Sequence, residues 1–204
     1  MSQTRKIVFA TNNNHKLREI REIIGNQLDI VSLEEIGCKE DLPETADTIA
    51  GNAIMKARYI AEHYGIDCFA DDTGLEVEVL GGEPGVHTAR YAPGSGHDNR
   101  ANVDYLLANL ADKTNRKARF VTVIALVENG SIRTFEGVCE GQIANERRGV
   151  DGFGYDPVFV PSESNGLTFA EMGPEEKNRL SHRGKATRSL VDYLSQRSTD
   201  SMTN

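Results

Sequence analysis

Asp71 and Asp72 stand side by side in Phe69-Ala70-Asp71-Asp72-Thr73-Gly74, where an apolar approach meets two carboxylates. Like charges at the edge of a core repel, and they are costly there unless a cation neutralises them. A hard divalent ion is one answer, because Mg²⁺ takes oxygen ligands and keeps waters and substrate phosphates in its shell. One carboxylate could hold such an ion and also accept a proton from an attacking water. The plain alternative is an Asx-type cap at a strand end. Thr73-Gly74 favours a site, since glycine lets a ligand come close to backbone.

Two other stretches gather polar chemistry. Thr11-Asn12-Asn13-Asn14-His15-Lys16 follows the apolar run Ile7–Ala10 and leads into a helical pattern. Such a junction offers free N–H donors and a positive dipole end to a phosphate, and Lys16 adds a cation. An Asn-rich turn capping the helix accounts for the same residues equally well. No G-x-x-x-x-G-K-[ST] loop is present. The third stretch is Gly152-Phe153-Gly154-Tyr155-Asp156-Pro157, joined by Lys177 and Ser181-His182-Arg183. Aromatics between glycines suit a flat ring, and Asp156, Lys177, His182 and Arg183 supply donors and acceptors around it. The alternative is an aromatic strand entry beside a helix capped by Ser181.

Other chemistries find little support. The five histidines lack H-E-x-x-H spacing, and no G-x-S-x-G elbow exists. His63 and His97 are read as structural, and Glu19, Glu22 and Glu62 as solvated helix faces. A net charge of −8 argues against a polymeric nucleic-acid partner, although a basic pocket can sit in an acidic whole. Cys38, Cys68 and Cys139 are far apart with no C-x-x-C, which suits reduced thiols. Ile7–Ala10 is too short for a signal peptide and Val121–Val127 too short for a membrane span. The expectation is a soluble cytoplasmic protein with no membrane partner.

These groups need elements to hold them. Ile7–Ala10 predicts a buried strand, and Leu17, Ile20, Ile23 and Ile24 predict a helix closed by Gly25. A second strand is expected over Leu28–Leu33 and a helix over Asp47–Tyr64, closed by Gly65. Strands are expected up to Ala70 and again from Leu75 to Leu80. Asp98–Leu110 predicts a helix. Ala118–Glu128 and Ser131–Cys139 predict a hairpin around Asn129-Gly130. Pro157–Val160 follows as a short strand, and a last helix from Ser181 turns Ala186, Leu190, Val191 and Leu194 inward. This order predicts an α/β fold with a mixed sheet. Residues 1–194 are read as a single domain and 195–204 as a polar, frayed tail.

Taken together, FATNNNHKLREI, LPET with NAIMKAR, ADDTGLEVEVLGGEPGVHTARY, FGYDPVF and EEKNRLSHRGKA resemble the inosine triphosphate pyrophosphatase family. The likeness runs in order from Lys6 to about Leu194. It implies an elongated mixed sheet with two lobes around a nucleotide cleft, a homodimer, and Mg²⁺-dependent release of pyrophosphate from ITP, dITP or XTP. Such an enzyme cleanses the nucleotide pool. By residue, it implies that Thr11, Asn12, Asn13, Asn14, His15, Lys16 and Lys56 face the triphosphate. Glu44 and Asp72 correspond to metal ligands, and Asp72 also to the catalytic base, with Thr73 touching substrate. Phe153, Gly154, Tyr155, Asp156, Lys177, His182 and Arg183 correspond to the base pocket. Donors such as Lys177 or Arg183 would face purine O6. Adenine would leave them unpaired at about 1–3 kcal/mol per group.

The sequence departs from the family in places. Asn12 stands where Gly is frequent, Gly51 where Glu is common, and Pro43 in place of an acid. Two other readings stay open: a pyrophosphatase for pyrimidine or methylated nucleotides, and an inactive nucleotide-binding module. Intact Asp72, Lys16, Lys177 and Arg183 speak against the second.

Overall fold

The computed structural model describes residues 5–200, with side chains described from 5 to 196. In chain order the elements begin β1 (Lys6–Phe9), α1 (Asn14–Ile24), β2 (Asp29–Val31), α2 (Ile49–Tyr64), β3 (Cys68–Val77) and β4 (Pro84–Gly85). They continue α3 (Asn99–Asn109), β5 (Lys117–Glu128), β6 (Ser131–Ile143), β7 (Phe159–Pro161), α4 (Pro174–Leu180) and α5 (His182–Asp200). The strands hydrogen-bond in the order β2-β1-β3-β5-β6-β7, with β4 on β3. β1 runs parallel to β2 and β3, whereas β4 and β7 pair antiparallel to β3 and β6. The mixed α/β architecture is the one expected. Contacts divide the chain into two compact units.

One unit holds the described residues up to Asp72, Thr122–Gly137, and those from Arg183 onward. Its core joins Ile7, Phe9 and Phe69 from the strands to Ile20 and Ile24 of α1 and Ala186, Leu190 and Leu194 of α5. Phe9 and Phe69 stack at 4.7 Å between ring centroids, and both are fully buried. Each such ring contributes about 2 kcal/mol through its burial. The inward residues expected of the last helix are buried as expected. That helix continues to Asp200, so the tail expected to fray from Ser195 is helical that far. Residues 201–204 lie outside the described residues.

The other unit comprises Thr73–Val121 and Val138–His182. Leu75 and Val77 of β3, Val103 and Leu106 of α3, and Phe120, Phe159 and Phe169 form its core. The hairpin turn falls where expected, with Asn129 at φ 48° and Gly130 at φ 75°.

Two local expectations are corrected. No strand ends at Ala70: β3 runs unbroken through Asp71-Asp72-Thr73-Gly74 to Val77, and Glu78–Leu80 form a 3₁₀ turn. The strand can continue because cations from neighbouring helices neutralise both carboxylates. The helix α4 was not anticipated. Gly173-Pro174 starts it, with proline at the first turn, where a missing N–H costs nothing.

Candidate active site

Successive residues on a strand face opposite sides of the sheet. Ile7, Phe9, Phe69 and Asp71 share the side covered by α1 and α5, and Asp72 shares the other side with α2. This parity explains the adjacent acids. Asp71 Oδ1 accepts from Lys16 Nζ at 2.9 Å, and Oδ2 accepts from Arg183 Nε at 3.2 Å. Arg183 Nη1 in turn donates to Glu19. The Asp71 side chain has no exposure, and that of Arg183 has 4%. Burial alone would raise the Asp71 pKa, but Lys16, Arg183 and Lys56 outweigh it and hold the carboxyl well below its usual range. Burial likewise works against the Arg183 charge, and Glu19 and Asp71 overcome it. Burial pulls the Lys16 ammonium down, with Asp71 opposing. Removing one partner of such a buried pair costs about 3–5 kcal/mol.

On the opposite side, Lys56 of α2 lies between two carboxylates. Its Nζ donates to Glu44 Oε1 at 2.6 Å and to Asp72 Oδ1 at 3.2 Å. Asn52 Nδ2 donates to Asp72 Oδ2 at 3.4 Å. Burial raises the Asp72 pKa, with Lys56 and Lys16 opposing and Glu44 and Asp71 adding to the rise. Burial also works against the Lys56 charge, but Asp72, Asp71 and Glu44 outweigh it and raise the pKa. Thr48 caps α2 through Gly51 N. A Cβ at Gly51 would come 2.7 Å from Ala46 Cβ, so the residue that departs from the family's Glu fits a crowded turn.

The donor chemistry of Glu44 and Asp72 suits Mg²⁺. Both offer carboxylate oxygens, both already share one cation, and a hard ion with two such ligands completes its shell with water and phosphate oxygens. Among the described residues no three His, Cys, Asp or Glu side chains converge on one metal position.

The loop before α1 is built around its cap. Asn13 accepts from the backbone N–H of His15 and Lys16, and Thr11 Oγ1 accepts from Asn13 N at 3.2 Å. For Asn13 the capping reading therefore holds. Asn12, Asn14 and His15 are exposed, and Asn12 Nδ2 donates to the Glu40 carbonyl. Among the described residues Asn129 alone of the non-glycines has positive φ, so Asn12 does not use the left-handed conformation that glycine allows. Lys16 turns inward to Asp71.

The second unit carries Thr73, half-buried on β3, and the aromatic stretch. Asp156 Oδ2 accepts from Phe153 N at 2.7 Å and from Lys177 Nζ at 2.8 Å. The Lys177 ammonium lies 5.1 Å from the centroid of the Phe153 ring, within cation–π range. Gly152 sits at φ 81°, and a Cβ there would come 2.2 Å from Asp156 Oδ2, so only glycine fits. At Gly154 the Cβ direction is open. Phe153, Lys177 and Asp156 thus form one platform.

Three side chains expected in the base pocket are buried. Tyr155 is buried and its hydroxyl donates to the Thr88 carbonyl, so the phenol anchors the core. His182 is buried and stacks on Phe120 at 4.4 Å. Arg183 falls in the first unit, against Asp71 and Glu19. Glu19 is also corrected: it is not a solvated face but the partner of Arg183. Its partner lies 164 residues away, and nothing in the helix pattern of α1 marks it. Asn52 was missed for a similar reason, although its place one turn before Lys56 put it on the same face.

The model of the Ham1 family matches residues 7–193. A dITP/XTP pyrophosphatase of Flavobacterium psychrophilum is 54% identical over 189 residues, covering 93% of this chain and 98% of the relative. One from Porphyromonas gingivalis is 56% identical over 190 residues, covering 93% and 97%. Among solved structures, a HAM1 protein from Coxiella burnetii superposes with a TM-score of 0.85 at 39% identity, covering 95% of this chain and all of that one.

Proposed function

The chain belongs to the Ham1 family, and on that premise we propose that it hydrolyses dITP, XTP and ITP to the monophosphate and pyrophosphate. The observation that carries the reading is the unequal state of two adjacent acids. Asp71 is closed off between Lys16 and Arg183. Asp72 has a raised pKa, keeps 12% of its side chain exposed, and lies beside Glu44 across one ammonium. A base must be reachable by water, and of the two adjacent acids Asp72 is the one with that access.

Lys16 and Lys56 neutralise phosphate charge. Glu44 and Asp72 would hold Mg²⁺, which supplies further neutralisation and acidifies a water. Asp72 takes the proton as the water oxygen bonds to the α-phosphorus. The bond from that phosphorus to the bridging oxygen breaks, and its electron pair leaves with pyrophosphate. The site works by positioning and electrostatics, with no covalent intermediate. Lys177, held over Phe153 by Asp156, is the purine-side donor, and O6 of hypoxanthine or xanthine accepts from it. The homodimer and the cytoplasmic location belong to the same proposal.

The test is product analysis with Mg²⁺ and a panel of triphosphates. Pyrophosphate from dITP and XTP supports the reading, and orthophosphate as first product sinks it. The intact set of Asp72, Lys16, Lys56 and Lys177 favours this enzyme over an inactive binding module.

A further inference from the structure

We propose that Thr88 is a positioning residue for the purine platform. Its carbonyl holds the Tyr155 hydroxyl, and with it the turn that carries Phe153 and Asp156. The inference rests on the nucleotide reading above, in which Lys177 over Phe153 meets the base. The residues of this connection all belong to the second unit.

Thr88 is fixed by its own hydroxyl. Leu75 of β3 and Gly85 of β4 face each other in the antiparallel pairing of these strands. Thr88 Oγ1 stands between them, accepting from Leu75 N at 2.8 Å and donating to the Gly85 carbonyl at 2.6 Å. A hydroxyl can do both at once, whereas a methyl in its place can do neither. The stretch that follows is held as well. Asn102 of α3, 1% exposed, donates to the Ala89 carbonyl at 2.9 Å and accepts from Ala92 N at 2.8 Å. The Thr88 carbonyl is thus a fixed point tied to two strands and a helix.

Tyr155 reaches that point from 67 residues away, its hydroxyl donating at 2.9 Å. Burial pushes the phenol pKa up, with Tyr91 adding to the rise, so the hydroxyl keeps its proton and remains a donor. The Tyr155 backbone lies inside the turn that Asp156 N closes by donating to the Phe153 carbonyl at 3.2 Å. In the same turn the Asp156 carboxylate accepts from Phe153 N and Lys177 Nζ. A phenylalanine would fill the same core volume. What the hydroxyl adds is a fixed distance from this turn to Thr88, and that distance sets where Phe153 and Lys177 sit relative to β3.

The experiment uses the full chain and the two reaction products, which need no turnover. Calorimetric titration measures inosine monophosphate and pyrophosphate binding to wild type, Thr88→Val, Thr88→Ser and Tyr155→Phe, with circular dichroism as the check on folding. Thr88→Val and Tyr155→Phe should each weaken inosine monophosphate binding by about threefold to tenfold, the scale of one net hydrogen bond. Pyrophosphate, assigned to Lys16 and Lys56, should stay within about twofold of wild type. Thr88→Ser keeps the hydroxyl and should restore the inosine monophosphate affinity.

Val103→Ala opens the core of the same unit without removing any of these hydrogen bonds, and it serves as the control for loosening. An equal fall in its inosine monophosphate affinity would make the effect general and overturn the inference. So would a Thr88→Ser protein as weak as Thr88→Val. If Thr88→Val does not fold, Tyr155→Phe decides on the same criterion, because it keeps the ring. A wild type that binds both products while Tyr155→Phe binds them equally well refutes the positioning role alone. One that binds neither product refutes the nucleotide reading as well.

Discussion

Asp71 and Asp72 are neighbours on one strand, yet their carboxylates serve opposite sides of the sheet. Asp71 meets Lys16 and Arg183, and Asp72 meets Lys56 and Asn52. The alternation of a β-strand gives the two acids different hydrogen-bond partners, while each still feels the other's cation. One acid is closed off and ionised. The other keeps a raised pKa and a second carboxylate within reach of the same ammonium.

The closest consequence concerns Asp72. Asp72→Asn should lower kcat for dITP by about 10²–10⁴, the usual scale of a lost general base. Equilibrium binding of the nucleotide should persist. Near-normal turnover by this variant would remove Asp72 from the chemistry.

Lys56→Met leaves Glu44 and Asp72 facing each other without their cation. The metal-free variant should lose about 3 kcal/mol of stability, the scale of a broken buried pair. Added Mg²⁺ should restore part of its melting temperature and should raise that of wild type less. Calorimetric melts with and without Mg²⁺ read this directly, and an equal response of both proteins would separate Mg²⁺ from this carboxylate pair.

Gly152→Ala forces a side chain into a left-handed position and against the Asp156 carboxylate. Strain of this kind costs about 1–3 kcal/mol. The displaced Asp156 would no longer hold Phe153 N and Lys177, so KM for dITP should rise more than kcat falls. A variant with unchanged KM would detach this platform from substrate binding.

Burial pushes the Cys68 thiol from its ordinary value of 9.0 up to about 12. The folded state thus favours the protonated thiol, whose stabilisation is complete below pH 9 and is lost as pH rises toward 12. Over that window the thiol should cost about 1.4 kcal/mol of stability per pH unit. Denaturant titrations at pH 8 to 11 should show a flatter decline for Cys68→Ala than for wild type. Parallel declines would contradict the assignment.

Much of the fold was legible from local signals. The 3.6-residue periods of α1, α2, α3 and α5, the glycines closing α1 and α2, and the Asn129-Gly130 turn are short-range features. What stayed hidden depends on distant partners. The acids after Ala70 suggested a strand end because the neutralising Lys16, Lys56 and Arg183 are remote in sequence. Glu19 looked solvated because a helical pattern cannot reveal a partner supplied by α5. Tyr155 and His182 are buried rings, which composition alone does not tell from exposed ones. The residue types of the site were visible, but their division between Asp71 and Asp72 required strand parity.

The central claim is hydrolysis between the α- and β-phosphates of non-standard purine triphosphates. Its most direct test is to incubate the full chain and Mg²⁺ with dITP, XTP and dATP, and to quantify pyrophosphate and orthophosphate separately. Pyrophosphate should be the first product, with kcat/KM for dITP and XTP exceeding that for dATP by about tenfold or more, given the Lys177 donor that adenine leaves unpaired. Orthophosphate as the first product, or equal rates with dATP and dITP, would contradict it.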